Sequence, residues 1–144
     1  MDIFKTLRKD HDKQRDLLDK LVNTSGDTKR RKETFESLKR ELEVHADAEE
    51  RYFYKPLIDS DKTQDKARHG IAEHHEIDEL LEELEQTEFS SPAWLKIAKD
   101  LKERVEHHLD EEEHQVFQMA GKVLSASQKE SLSKKYQTYM ENRK

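Results

Sequence analysis

One set of histidine and glutamate residues occurs twice in this chain, and the second set follows the first after 63 residues. Each set has a single His followed by a His-x-x-x-Glu pair: His11, His45 and Glu49, then His74, His108 and Glu112. Residues four positions apart lie on the same face of an α-helix, so the members of each pair would share one face. The repeat therefore indicates a duplicated unit of two helices.

Each His-x-x-x-Glu pair continues a stripe of apolar residues spaced three and four positions apart. The residues that lead to the two pairs are Phe35, Leu38 and Leu42, then Ala98, Leu101 and Val105. This spacing is typical of the buried face of a helix. An ionisable pair in such positions must be paired, protonated or bound to a metal, because burying a bare charge costs many kcal/mol.

The same periodicity predicts an all-α fold, since the apolar residues fall on helical stripes and runs of β-branched residues are absent. The predicted helices cover residues 2–22, 28–58, 62–88, 92–120 and 126–141. Four long helices joined by short turns favour an up-down-up-down antiparallel four-helix bundle. We expect a single domain over residues 1–144, with the bundle in 1–124 and a short accessory helix in 125–144.

Composition excludes several classes of protein. Charged residues make up 42% of the chain and hydrophobic residues 32%, so the core is thin and we expect bound metal to stabilise it. A net charge of −6 without a dense basic patch argues against nucleic acid as a partner. No membrane contact is expected, because no apolar run has transmembrane length and no signal-peptide pattern starts at Met1. The absence of Cys fits a cytoplasmic location.

The two stripes and the two single histidines bring six ligand-type side chains to one level of the predicted core. Four imidazoles and two carboxylates without sulfur suit iron, manganese, copper or zinc better than magnesium or calcium. Six protein donors exceed the four of a structural zinc site. The number suits two metal ions that share both carboxylates, with solvent, oxo or hydroxo groups in the remaining positions. Ferritin-like proteins use Glu-x-x-His instead, so ferroxidase storage chemistry is disfavoured.

Four segments of the chain resemble the motifs of the hemerythrin-like, HHE cation-binding domains. They are Asp10-His11 with trailing leucines, His45-Ala46-Asp47-Ala48-Glu49-Glu50, Glu73-His74 with trailing leucines, and His108-Leu109-Asp110-Glu111-Glu112-Glu113. The resemblance covers roughly residues 1–124. It implies a non-haem di-iron centre in which the four motif histidines are terminal ligands. Glu49 and Glu112 would bridge the two irons together with an oxo, hydroxo or water ligand.

The chain departs from the oxygen-carrying members of that family at one position. Those proteins have a His-x-x-x-His pair on the third helix, but Gly70 stands four residues before His74. His69 is one residue away, and a wide turn or π-bulge would be needed to bring it to the metals as a seventh ligand. Without it, the ligand set is similar to that of iron-sulfur repair proteins and iron-sensing domains, and reversible O2 transport is disfavoured.

Some neighbouring residues have two interpretations. His107-x-x-x-Glu111 is a rival pair shifted by one residue, but it fits neither the 63-residue repeat nor the apolar stripe. Glu50 and Glu113 suit either a solvated face or a hydrogen bond to a ligand histidine. Tyr54 suits either the core or a hydrogen bond near the metals.

Two functions follow as expectations. The first is an iron protein that interacts with O2, NO or peroxide in sensing, storage, detoxification or iron-centre repair, with enzymatic activity left open. The second is a metal-stabilised helical interaction module without small-ligand chemistry, whose terminal helix binds a protein partner. The sequence does not identify that partner.

Overall fold

The computed structural model describes residues 1–143, and within them the chain is helical without a strand. The α-helices are α1 (Ile3–Val22), α2 (Lys29–Glu49), α3 (Lys55–Ile58), α4 (Gln64–Gln86), α5 (Pro92–Glu111), α6 (Phe117–Val123) and α7 (Ala126–Arg143). These agree with the five predicted helices, because α2 with α3 and α5 with α6 form two continuous stretches. Lys144, the last residue of the predicted accessory segment, lies outside the described residues.

Local sequence signals set most helix ends. The Asp2 side chain accepts a hydrogen bond from the backbone N–H of Lys5 and caps α1, and Ser91 caps α5 in the same manner. Ser125 and Gln128 form the predicted capping box of α7, each side chain accepting from the other's backbone N–H. Gly26 turns the chain between α1 and α2 with φ of 60°, a conformation that glycine adopts without steric cost.

Two π-helical turns interrupt the long helices next to the repeated glutamates. The first, Glu50–Tyr54, joins α2 to α3, and the second, Glu112–Val116, joins α5 to α6. The extra residue of a π-turn rotates the side chains that follow it relative to the preceding stripe, and such turns are frequent at functional sites. Near His69, where a π-bulge would be needed to bring the side chain to the metals, α4 is a regular α-helix.

The core consists of two apolar clusters. One contains Trp94 and the leucines of α1, α2, α4 and α5 that follow or precede the motif residues. The other contains Phe53, Tyr54 and Phe117 together with the inward side of α7. Along α1, α2, α4 and α5, the buried His residues fall between residues of the two clusters. The polar layer is thus enclosed by apolar side chains from both sides.

Helix α7 packs against α1 and α2 rather than extending away from the other helices. Its buried residues are Ser133, Tyr136, Tyr139 and Met140. Within residues 1–143, no helix is both long and apolar enough to cross a membrane.

Candidate metal centre

The six motif residues form one buried cluster, called here the central cluster: His11, His45, Glu49, His74, His108 and Glu112. Each of them is at most 5% exposed. The structure therefore brings together all of the residues that the repeat pattern predicts as ligands.

The two carboxylates of the central cluster each face both pairs of histidines. Glu49 Oε2 lies 3.3 Å from His45 Nε2 and 3.9 Å from His11 Nε2, whereas Oε1 lies 3.1 Å from His74 Nε2. Glu112 Oε1 lies 3.2 Å from His11 Nε2, and its Oε2 lies 3.5 Å from His108 Nε2. His11 with His45 and His74 with His108 thus form two pairs, with both carboxylates between them.

Within the described part of the chain, residues 1–143, the inner donor atoms of the central cluster lack hydrogen-bond partners. They are the Nε2 atoms of the four histidines, both carboxylate oxygens of Glu49, and Oε1 of Glu112. Buried polar groups are normally satisfied, and an unpartnered one is costly. Ligand atoms of His11, His45 and Glu49 lie within 4.8 Å of one another, as do those of Glu49, His74 and His108. The donor set therefore fits bound metal cations.

The outward ring nitrogens of the same histidines are all engaged. His11 Nδ1 lies 2.6 Å from Glu113 Oε2, and His74 Nδ1 lies 2.8 Å from Glu50 Oε2. Since an N–H group must donate to each carboxylate, the proton of a neutral ring lies on Nδ1 and the Nε2 lone pair points inward. Carboxylates that orient histidines in this way are typical of metal sites. Of their two predicted interpretations, Glu50 and Glu113 therefore fit the hydrogen bond to a ligand-type histidine rather than a solvated face.

The remaining two histidines are oriented by different groups. His108 Nδ1 lies 2.7 Å from Glu73 Oε1, a direct contact with a carboxylate. His45 Nδ1 lies 2.5 Å from the hydroxyl of Tyr136 on α7, and that hydroxyl donates to Asp10. Asp10 itself is 3.6 Å from His45 Nδ1. The Asp10 side chain is one methylene shorter than that of Glu73 and does not reach His45. The Tyr136 hydroxyl lies between the two residues and contacts both.

Tyr136 is the residue of the site that sequence reasoning missed, because it lies outside the repeat. One signal was available: Asp10 stands where the second copy has Glu73, and the side chain is one methylene shorter. In the structure, this shorter side chain leaves a gap beside His45 that another group fills. Only the three-dimensional packing of α7 identifies that group as Tyr136.

Tyr54 also enters the central cluster, and Gly70 explains how. The buried Tyr54 hydroxyl donates a hydrogen bond to Glu112 Oε2. A Cβ atom at position 70 would lie 2.5 Å from the Tyr54 hydroxyl oxygen and 2.6 Å from Cζ. Position 70, four residues before His74, is thus glycine in this chain, and the Tyr54 ring occupies the space beside it.

The other predicted alternatives lie at the surface. The His69 side chain is 53% exposed and contacts Glu73 and Glu111 rather than the central cluster. His107 is 68% exposed and lies 3.3 Å from Glu111. His75 and His114 are exposed as well.

Electrostatics in the central cluster favour positive charge. Burial lowers the pKa of His45, but the charge of Glu49 and the Asp10 carboxylate raise it more, to about 8. Burial also lowers the pKa of His74, and the carboxylates of Glu49 and Glu50 outweigh it and bring it to about 10. The pKa of Glu112 is raised by burial and by the negative charge of Glu49. The buried carboxylates of Glu49 and Glu112 in the same cluster require compensating protons or metal cations.

Comparisons with known proteins agree with this geometry. The sequence model of the hemerythrin HHE cation binding domain matches residues 2–120. A solved structure of a hemerythrin HHE cation binding domain-containing protein from Mycobacterium kansasii is similar in fold, with a TM-score of 0.89 and 24% sequence identity. The alignment covers 99% of this chain and 87% of that protein. A search of curated proteins finds no match. From the family match, which covers the helices that carry the central cluster, the chain belongs to the hemerythrin HHE cation-binding domain family.

Proposed function

We propose that this protein holds two iron ions in a non-haem centre and interacts through them with O2, NO or peroxide. The observation that carries the proposal is the set of seven buried donor atoms of the central cluster that have no hydrogen-bond partner within residues 1–143. The family is one of cation-binding domains, which supports metal but leaves the identity and number of ions to experiment. The proposal includes an up-down-up-down bundle in residues 1–124 as the scaffold of the centre, in a single cytoplasmic domain.

The proposed assignment follows the two histidine pairs. His11 and His45 would hold one ion, and His74 and His108 the other. Glu49 and Glu112 would bridge, because each has an oxygen directed to each pair. Two carboxylates leave a net positive charge on two divalent ions, so the centre attracts a further anionic or polarisable ligand.

Bound iron would supply electrons and open coordination positions to a small oxidant or diatomic molecule. The protein's own residues control the surroundings. Tyr54 donates a hydrogen bond to Glu112 and thereby holds a proton at the edge of the centre. Phe117 stacks on the His11 ring with centroids 6.1 Å apart and limits the access of water from one side. Such walls suit a small ligand better than a large substrate.

Anaerobic reconstitution of the metal-free protein with Fe2+ tests the proposal directly. We expect two irons per chain after removal of unbound metal, and a new optical absorption after addition of air or NO. His45→Ala should lower the iron content, since it removes a donor atom, and His75→Ala serves as the matched control because His75 is exposed. One iron per chain, or none, in the unmodified protein would contradict the two-iron assignment.

Tyr54→Phe separates the role of the phenol from that of the metals. The variant keeps the ring in the core and removes the hydrogen bond to Glu112. We expect unchanged iron content and altered reactivity with O2 or peroxide. Unaltered reactivity would restrict Tyr54 to packing.

The alternative function is a metal-stabilised interaction module whose terminal helix binds a partner. The inward side of α7 packs against the rest of the protein, since Tyr136 contacts His45 and Ser133 contacts Thr6, so a partner would bind the outer side of α7. Removal of residues 125–144 distinguishes the two functions. Altered reactivity with O2, NO or peroxide while the associated protein is retained supports the iron-centre function. Unaltered iron binding and ligand reactivity with loss of an associated protein supports the module.

A further inference from the structure

A second group of ligand-type side chains lies just outside the central cluster. It consists of His69 and Glu73 on α4 and Glu111 on α5, called here the outer triad. His69 Nε2 lies 3.1 Å from Glu111 Oε1 and 3.5 Å from Glu73 Oε2. His107 Nε2 lies 3.3 Å from the other oxygen of Glu111. One imidazole and two carboxylates within this distance can hold a divalent transition-metal ion, with water in the remaining positions.

A narrow cleft connects the outer triad with the central cluster. Its outer wall includes His69 and Glu111, and its inner wall includes Tyr54, His108 and Glu112. His108 Nε2 and Glu112 Oε1 are buried atoms without hydrogen-bond partners. The cleft encloses about 160 Å³ between its atoms but leaves no room for a water molecule, so passage requires side chains at its mouth to move. His69, at 53% side-chain exposure, is free enough to do so.

The corresponding face in the first copy of the repeat is closed. The positions 63 residues before His69, His107 and Glu111 are Thr6, Val44 and Ala48. None of these three can ligate a metal ion through a nitrogen or carboxylate. Helix α7 covers this face, and a hydrogen bond joins Thr6 to Ser133. Within residues 1–143, α7 therefore covers this face of the first copy and leaves the equivalent face of the second copy, with His69 and Glu111, open.

The charge of the open face also favours cations. Glu73 and Glu111 together contribute two negative charges, and both are largely buried, with side chains 8% and 17% exposed. Lys66 lies at the mouth of the cleft as the opposing cation, where its ammonium group donates to Gln115 at 2.7 Å. A cleft lined by one predominant sign of charge raises the local concentration of the opposite ion.

We propose that the outer triad binds one divalent transition-metal ion and delivers it through the cleft to the central cluster. The binding step stands on the outer triad alone, and the delivery step rests on the proposed iron centre. Three protein ligands at a partly exposed site give weaker and more rapidly exchanging binding than the enclosed central cluster, as a loading site requires. Glu73 connects the two sites, because its Oε1 accepts from His108 while its Oε2 faces His69.

Binding is tested with Mn2+ added to the iron-loaded full chain, with free Mn2+ measured by electron paramagnetic resonance. The unmodified protein should bind one Mn2+, and His69→Ala should lose that binding. His75→Ala is the matched control, because His75 is an exposed histidine on the same helix and is not part of the outer triad. Alanine favours a helix, so neither variant should fail to fold.

Delivery is tested by the rate at which the metal-free protein takes up Fe2+ under anaerobic conditions. Glu111→Gln should slow uptake about tenfold, the scale of electrostatic focusing at a charged cleft. His69→Ala should also slow uptake, because it removes a donor atom of the outer triad. Their final iron content should equal that of the unmodified protein, because neither residue belongs to the central cluster. Lys66→Gln should accelerate uptake, since it removes the cation at the mouth.

Each outcome decides one step. Absence of Mn2+ binding in the unmodified protein means that the outer triad contains ion pairs only and overturns the proposal. Mn2+ binding with unchanged uptake rates in His69→Ala overturns delivery and leaves a separate metal site. If the unmodified protein takes up fewer than two irons, the proposed function fails, and the Mn2+ titration still decides the outer triad by itself.

Discussion

The two copies of the repeat supply equivalent histidines to the central cluster but orient them differently. In the second half (residues 64–124), Glu73 contacts His108 directly at 2.7 Å. In the first half (residues 1–63), Asp10 remains 3.6 Å from His45, and Tyr136 of α7 lies between them. The two halves thus have the same donor atoms facing the centre, but different side chains contact the outer nitrogens of His45 and His108.

The difference explains why the chain needs a fifth long helix. Helix α7 supplies the hydroxyl that Asp10 cannot replace, and it covers the face of the first half that contains Thr6 and Ala48. The second half has Glu73 in place, and no helix within residues 1–143 covers its equivalent face, so that face is open. A duplicated hairpin can thus keep one symmetric set of ligands while its two faces take different roles.

The largest expected effect tests whether the two halves contribute equally to metal binding. His45→Ala and His108→Ala each remove one donor from one histidine pair, and we expect each to lose at least one of two irons. Both should also lower the melting temperature of the loaded protein, because metal-binding energy is folding energy. Iron analysis and thermal unfolding with and without metal measure this. If one variant keeps its full iron content, the halves are unequal and that histidine is not a ligand.

A smaller effect is expected for the supporting groups. Tyr136→Phe removes the hydroxyl between His45 and Asp10, and we expect about tenfold weaker binding of one iron, as for other groups that orient metal ligands. The second iron should bind nearly as before. Competition with a chelator of known affinity measures both steps. Tyr139→Phe is the matched control, because that hydroxyl on the same helix donates to Asp47 away from the centre.

Glu73→Asp tests the same difference between the halves from the side of the second half. It gives the second half the shorter carboxylate of the first, without a tyrosine to fill the gap. We expect about tenfold weaker binding of the iron at His108. Equal iron affinity in Glu73→Asp and the unmodified protein would mean that the length of the carboxylate does not matter, and the explanation of α7 given above would fail.

Packing beside the centre differs between the halves as well. Gly70 of the second half corresponds to Leu7 of the first, and Tyr54 corresponds to Phe117. Gly70→Ala places a Cβ atom 2.5 Å from the Tyr54 hydroxyl oxygen, so we expect a loss of about 1–3 kcal/mol of unfolding free energy from overpacking. Gly121→Ala is the control, because no atom lies within 4 Å of its Cβ position and alanine stabilises a helix by about 1 kcal/mol. Urea unfolding of the two variants should change in opposite directions.

Much of this arrangement could be predicted from the sequence, because repetition supplies a signal that one helix does not. A histidine in a single apolar stripe has many explanations, but His45 and His108 recur in the same register with their glutamates. The helix ends at Ser91 and Ser125 followed from capping rules. Helix caps depend on a few neighbouring residues and the repeat on regular spacing, so both can be predicted from the sequence alone.

The remaining features depend on contacts between distant segments. Tyr136 reaches Asp10 across 126 residues of sequence, and no spacing rule connects them. The π-turns after Glu49 and Glu111 have no clear sequence signal, although they alter the direction of every later side chain on those helices. The role of Gly70 likewise becomes evident only when the ring of Tyr54 is placed against it.

The smallest expected effect concerns the response of the metal-free protein to pH. The pKa of His45 is about 8 and that of His74 about 10 in the folded chain, above the ordinary value of 6.5. A raised pKa stabilises the fold fully below pH 6.5, and this stabilisation is lost as the pH rises through the folded value. The unfolding free energy of the metal-free protein should therefore fall from pH 6.5 to about 8, where His45 of the first half loses its proton. It should continue to fall towards pH 10, where His74 of the second half loses its proton.

The iron-loaded protein should not show this decline, because metal ligation requires neutral imidazole and lower pH weakens the binding of iron. Urea titrations of both forms between pH 6 and pH 9 measure the contrast. Parallel curves for the two forms would show that protons and iron do not compete for His45 and His74.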